Sequence, residues 1–187
     1  MQAVDDRWWN LIAAACVSGA GEKQWRAGLF RELCKLSAED VLAFDRWFDE
    51  RVLEAYTFDL TAAKYYATGF GGSDGMYYFR CWLIAQGRTV YYNALQNADS
   101  LADLPCDDDW EAEIYAVAQK AWAEVMGNGE DVYPLTLPGR HDGARTLGTP
   151  WDDENPDELR RRFPRLAARY RKGNTGKIGD VLRKRFP

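Results

Sequence analysis

A chain of 187 residues with 47% hydrophobic and 28% charged side chains has the length and balance of one globular domain with its own core. Its net charge of −5 weighs against nucleic acid as a partner for the whole molecule, and no apolar run approaches the ~18 residues that read as a membrane span. The four cysteines, Cys16, Cys34, Cys81 and Cys106, form no Cys-x-x-Cys pair, so they read as reduced thiols of a cytoplasmic protein.

The elements read as helices almost throughout. Asp5 and Asp6 precede Trp8, Leu11, Ile12 and Ala15, the i, i+3, i+4, i+7 spacing of one buried helical face. Gly19 and Gly21 break that helix. The stretch LIAAACVSGA resembles a signal-peptide core but follows acidic rather than basic residues, and is assigned to the first helix. A second helix is predicted over 22–36, with Trp25, Leu29, Leu33 and Leu36 inward. Ser37, with Asp40 three residues on, is a variant capping box that starts a third helix over 38–56. Its buried face is Val41, Phe44, Phe48, Val52 and Ala55. Asp59 is placed as the cap of a fourth helix, 60–68, ended by Gly69, Gly71 and Gly72. Ser73 or Asp74 opens a fifth, 75–86, which is apolar nearly all round and therefore central. Gly87 stops it. Residues 88–96 favour a strand by their β-branched and aromatic content, but Val90, Ala94 and Leu95 fit a short helix and no neighbouring strand is evident, so helix is predicted. Asp107, Asp108 and Asp109 load the positive end of a helix over 110–126. Residues 127–150, rich in Gly and Pro, read as a long loop. Residues 157–172 read as a basic helical stretch interrupted at Pro164, 173–176 as a linker, and 178–186 as a last basic turn or a loose end. The expectation is an all-α protein: a single compact helical domain over 1–127, a Gly/Pro-rich loop over 128–150 and a basic C-terminal extension over 151–187.

Charge is distributed unevenly. Residues 156–187 hold 11 Lys/Arg and 3 Asp/Glu, a local +8 that leaves −13 on the first 155 residues. Two readings follow: a basic segment folded over an acidic body, or a docking tail for an acidic partner or nucleic acid through Arg160, Arg161, Arg162, Arg165 and Arg169. Eight Trp, ten Tyr and eight Phe imply an aromatic core or a face awaiting a partner. Adjacent pairs such as Tyr65–Tyr66, Tyr77–Tyr78 and Tyr91–Tyr92 lie about 100° apart on a helix, so one of each faces the core and the other the rim.

Motifs of catalysis are scarce. Gly173-Asn174-Thr175-Gly176-Lys177 lacks the first Gly and the final Ser/Thr of a P-loop, and no strand precedes it. His141, the single histidine, sits between Arg140 and Asp142 and supports neither a zinc site nor a Ser-His-Asp triad. Asp107–Asp109 suit a helix start better than a metal site, and the glycine turn 69–73 suits a tight connection better than an anion cradle, because Asp74 would repel a phosphate. No metal or cofactor is expected.

The richest stretch is 71–101, GGSDGMYYFRCWLIAQGRTVYYNALQNADSL. With Trp8 and Trp9, YTFDLTAA at 56–63, the Gly72-Ser73-Asp74 turn, FRCWLIAQG at 79–87 and NADSL at 97–101, it resembles the bacterial domain-of-unknown-function family numbered 4240 over about residues 3–125. The chain departs from that pattern at Gly75. PRLAARY at 164–170 resembles a tail often seen in actinobacterial members. The resemblance implies a mostly helical fold and no established activity.

Ionisable groups inside this apolar stretch are costly unless paired. Asp59, Asp74, Arg80 and Asp99, with Arg88 and Trp82 beside them, therefore read either as an ion-pair network that locks helices or as the floor of a pocket for an anion or polar ligand. Without a catalytic set, the chain reads first as a non-catalytic protein-interaction or regulatory module. A small-molecule or anion binder, or an enzyme, at Asp74, Arg80 and Asp99 is the alternative, and nucleic-acid binding through the basic segment the third reading.

Overall fold

The computed structural model describes residues 2–15, 22–68, 73–104, 116–129, 132–134, 146–150 and 155–170. Within them the chain is all-α, as expected. Its helices are α1 (Gln2–Ala15), α2 (Glu22–Leu33), α3 (Ala38–Glu54), α4 (Phe58–Thr68), α5 (Ser73–Ala85), α6 (Arg88–Gln96), α7 (Val117–Met126), α8 (Pro156–Arg162) and α9 (Pro164–Tyr170), with a 3-10 turn at Ala98–Asp103. The one extended feature among the described residues is an isolated bridge between Thr57 and Leu147.

Helix α3 is the spine. Its N-cap is Ser37, whose Oγ accepts from the Asp40 backbone N–H at 3.1 Å. Val41, Phe44, Phe48 and Val52 point inward at the helical period, as predicted. The helix packs against α1, α5 and α7, and α2 closes the first layer by touching both α1 and α7. Trp8 meets Phe44 edge-on at 5.7 Å and Trp9 meets Trp47 edge-on at 5.0 Å. Each large side chain buried in this layer contributes about 1.5–3 kcal/mol. At Gly28 the layer is closed to backbone contact: a Cβ there would lie 2.5 Å from the Ala15 carbonyl oxygen.

Helix α5 carries the second layer, packing on α3, α4 and α6. Phe79, Cys81, Leu83 and Ile84 are fully buried, which bears out its central place. The stretch at 88–96 is helical, with Tyr91 and Ala94 inward; Gly87, at φ 89°, makes the turn that lets α6 start at once. Tyr91 and Tyr77 are buried while Tyr92 and Tyr78 stay half-buried, one of each pair on the core.

Two expectations shift. The fourth helix starts two residues early because Thr57, not Asp59, caps it: the Thr57 Oγ1 accepts from the Leu60 N–H at 3.2 Å. The first helix begins at Gln2, so Asp5 lies within its first turn. The basic stretch is interrupted at Pro164 as expected, giving α8 and α9, and Leu159, Phe163, Leu166 and Ala167 share the same core as the rest. The expected breaks at Gly19 and Gly21, the glycine turn 69–72, the acidic run Asp107–Asp109, His141 and everything from 171 onward lie outside the described residues, as do Cys16 and Cys106. No helix among the described residues is long and apolar enough to cross a membrane.

Candidate functional site

The expected charged constellation is not a network. Arg80 sits on α5 with 1% of its surface exposed. Its Nε donates to the Met76 carbonyl at 3.0 Å, and its guanidinium lies 4.4 Å from the centre of the Tyr56 ring. No described carboxylate pairs with it, and burial lowers its pKa. Asp99 does something else: its carboxylate accepts the Arg165 N–H at 3.0 Å and the Leu166 N–H at 2.9 Å, capping α9 from outside the helix. Asp59 pairs with Arg162. Arg88 reaches across to Asp6 and lies 3.7 Å from Asp5. Trp82 stacks on Phe79 at 5.8 Å, and Asp74 stands exposed in the first turn of α5. Asp59, Asp99 and Arg88 thus each serve a different helix junction.

A richer cluster lies where α1, α3 and α6 meet, and the sequence reading missed it. Asp5 accepts from the Trp47 indole at 2.8 Å, the Trp9 indole at 3.2 Å and the Tyr92 hydroxyl at 3.3 Å. Arg51 donates to the Tyr92 hydroxyl at 3.2 Å and pairs with Glu54 at 3.2 Å. Burial pulls the Arg51 pKa down, but the hydrogen bond to Tyr92 and the charge of Glu54 outweigh it and leave it raised. Tyr91 donates to the Arg51 carbonyl at 2.6 Å, and burial pushes its phenol far up, so it stays neutral. Only the four-residue step from Asp5 to Trp9 was visible locally; Trp47, Arg51 and Tyr92 arrive from distant helices. Both Asp5 oxygens and the Glu54 Oε2 face donors from this same chain, which makes the cluster a helix lock.

Three C-terminal arginines are committed to the body: Arg162 pairs with Asp59, Arg165 with Asp103, and Arg169 donates to the Ala102 carbonyl. Arg160 pairs with Asp157 at 2.7 Å within α8 itself. Arg162 adds a bond to the Thr149 carbonyl at 2.8 Å. Arg161 is exposed.

Between α2 and α7 runs an open groove. One part, about 450 Å³, is lined by Lys23, Arg26, Ala27, Phe30, Val117 and Lys120. It continues past Phe30 and Lys120 into a second part of about 540 Å³ that ends at Glu124 and the Gly127–Gly129 turn. Gly127, at φ 64°, terminates α7 in the left-handed conformation that favours glycine. At this end burial, with the charge of Glu124, raises the Cys34 pKa and so favours the neutral thiol. Lys23, Arg26 and Lys120 thus collect on an apolar floor, on a body that is otherwise acidic. Among the described residues no group of His, Cys, Asp and Glu is disposed to hold a metal ion.

Residues 4–124 match the family described as a protein of unknown function, DUF4240. The chain belongs to the DUF4240 family. The match spans α1 through most of α7 and so contains both walls of the groove, Arg80 and the Asp5 cluster. No curated protein and no solved structure matches the chain.

Proposed function

We propose that this DUF4240 member is a non-catalytic interaction module that docks an acidic amphipathic segment of a partner protein into the α2–α7 groove. The observation that carries the reading is the placement of Lys23, Arg26 and Lys120 around the apolar floor of Ala27, Phe30 and Val117. Aliphatic or aromatic side chains would cover the floor while carboxylates meet the cations, the mode by which an amphipathic helix lies in a groove. Glu124 gives the groove a direction: the acidic end of the partner sits toward Lys23, and its neutral end toward Gly127–Gly129. The chain carries −13 on its first 155 residues, so this cationic island is where a negatively charged partner is not repelled.

A fluorescein-labelled peptide alternating Leu and Phe with Glu provides the probe, read by polarisation. It should bind the full chain, and the Lys23→Glu/Lys120→Glu double variant should weaken binding at least about tenfold and flatten its salt dependence. Lys35→Glu, at a lysine paired with Glu32 outside the groove, should leave binding unchanged. Equal affinity of the double variant and the native chain would overturn the reading. So would sedimentation showing a dimer that Lys23→Glu dissociates, because the occupant would then be a second copy.

A further inference from the structure

Arg80 is the one described guanidinium that is both buried and unmatched. Its Nη1 has no hydrogen-bond partner, while Nε is spent on the Met76 carbonyl. A buried guanidinium carries five N–H donors and a full charge; leaving both uncompensated in an apolar interior is expensive. The exposed arginines of this chain show how such groups are otherwise handled: Arg7 on Asp40, Arg88 on Asp6, Arg162 on Asp59, Arg165 on Asp103. Arg80 has only the face of Tyr56, and a ring quadrupole attracts a cation without accepting its N–H groups in line.

The surroundings single out a chemistry. Helix α5 brings a second cation to the same turn: Lys64 of α4, itself 1% exposed, donates from Nζ to the Gly75 carbonyl at 2.7 Å, one residue before the carbonyl that takes Arg80. The hydrogen-bonding capacity still open at Arg80 is donor only. What completes it is an acceptor carrying negative charge. Tyr56 covers the guanidinium and is itself half-buried, so its outer side reaches the surface. It belongs to the short α3–α4 connection, where the Leu147 N–H donates to the Tyr56 carbonyl and the Phe58 N–H to the Leu147 carbonyl, both at 2.9 Å. The backbone of the cover is thus pinned.

We propose that Arg80 anchors an oxyanion-binding site roofed by Tyr56, in which rotation of the Tyr56 ring admits a carboxylate or phosphate group to the Arg80 Nη atoms. The site is independent of the α2–α7 groove. Arg80 is a ligand-binding residue here, and Tyr56 a gate.

The test observes the arginine itself in the full-length protein. Arg-Nε–H resonances are followed by ¹H–¹⁵N NMR during titration with inorganic phosphate or with acetate, at ionic strength held constant with chloride. The Arg80 resonance should shift along a saturable isotherm, whereas Arg160 and Arg165 at the surface should drift linearly. The anion that saturates at the lower concentration identifies the source as phosphate- or carboxylate-bearing. Tyr56→Ala should speed exchange at the Arg80 resonance severalfold without removing saturation. Arg80→Met should abolish anion-dependent thermal stabilisation while leaving the fold intact, since it replaces an unmatched charge by an apolar group of similar length. No saturable shift at Arg80 with either anion, in both the native chain and Tyr56→Ala, would overturn the proposal even if Arg80→Met failed to fold.

Discussion

Asp99 supports a quantitative prediction. A helix leaves its first N–H groups without intrahelical partners. In α9 the accounting closes completely: Pro164 has no N–H, the Arg165 and Leu166 N–H groups go to the Asp99 carboxylate, and the Ala167 N–H goes to the Phe163 carbonyl at 2.9 Å. Asp99 is only 4% exposed, so water cannot replace it. Asp99→Ala removes two charge-assisted bonds and strands two donors at the interface where Leu166 and Ala167 pack, a cost of about 3 kcal/mol. For a domain of this size that lowers Tm by about 6–12 °C. Asp99→Asn keeps an acceptor oxygen for both donors and loses only its charge, so it should cost about 1 kcal/mol. Asp103→Asn serves as the contrast: it breaks the Arg165–Asp103 pair, whose side chains are 50% and 64% exposed, and should cost under about 1 kcal/mol. Urea denaturation followed by circular dichroism measures all three. If Asp99→Ala falls within about 0.5 kcal/mol of the native chain, or no further than Asp103→Asn, the capping argument is wrong.

Two more outcomes follow from packing and charge. Gly28→Ala forces a Cβ to within 2.5 Å of the Ala15 carbonyl oxygen, and because that neighbour is backbone, α1 and α2 must separate; a loss of about 1–3 kcal/mol in chemical denaturation is expected, and unchanged stability would show that the two helices are free to slide. The hydrogen bond from Arg7 holds the Asp40 carboxyl below its ordinary value of 3.8, so the stabilisation is complete above that value and vanishes as pH falls through the lower folded one. Arg7→Ala should therefore lower the urea midpoint slightly near pH 6, by a few tenths of a kcal/mol for so exposed a pair, and match the native chain near pH 2; a gap that persists in acid would contradict the linkage.

The helices were legible because their signals are local. Ser37 and Asp40 are three residues apart, and Val41, Phe44, Phe48 and Val52 repeat at the helical period, so α3 could be placed from its own sequence. Residues 88–96 show how composition alone misleads: Thr89-Val90-Tyr91-Tyr92 suits a strand, yet Tyr91 and Ala94 share one helical face and no strand is near to accept the pairing. Caps were less secure, since Thr57 and Asp59 are both plausible by type and only the turn geometry chooses Thr57. The charged groups were the least legible. Reading Asp59, Asp74, Arg80 and Asp99 together assumed that charges close in sequence solve one another's desolvation. Instead Asp99 is matched by backbone N–H groups 66 and 67 residues on, and Asp59 by Arg162. Asp5 gathers donors from 42 and 87 residues away. Such partners are set by tertiary packing, and no periodicity encodes them.

The same facts decide where function is best sought. A basic segment of +8 beside a body of −13 invites the idea of a free docking tail, but Arg162, Arg165 and Arg169 are engaged with Asp59, Asp103 and the Ala102 carbonyl, and Asp99 holds the backbone between them. Over 156–170 the charge asymmetry is therefore largely spent on closing the fold. Two features stand out among the described residues. Lys23 and Lys120, beside Arg26, stand over an apolar floor open to solvent, and Arg80 is buried with an unsatisfied donor. The first costs little to maintain, because exposed lysines are solvated. The second is costly, and an apolar residue at position 80 would remove the cost. A costly feature that neighbouring packing does not require is the stronger pointer to a ligand, so the anion titration at Arg80 separates function from architecture more sharply than any change on the surface.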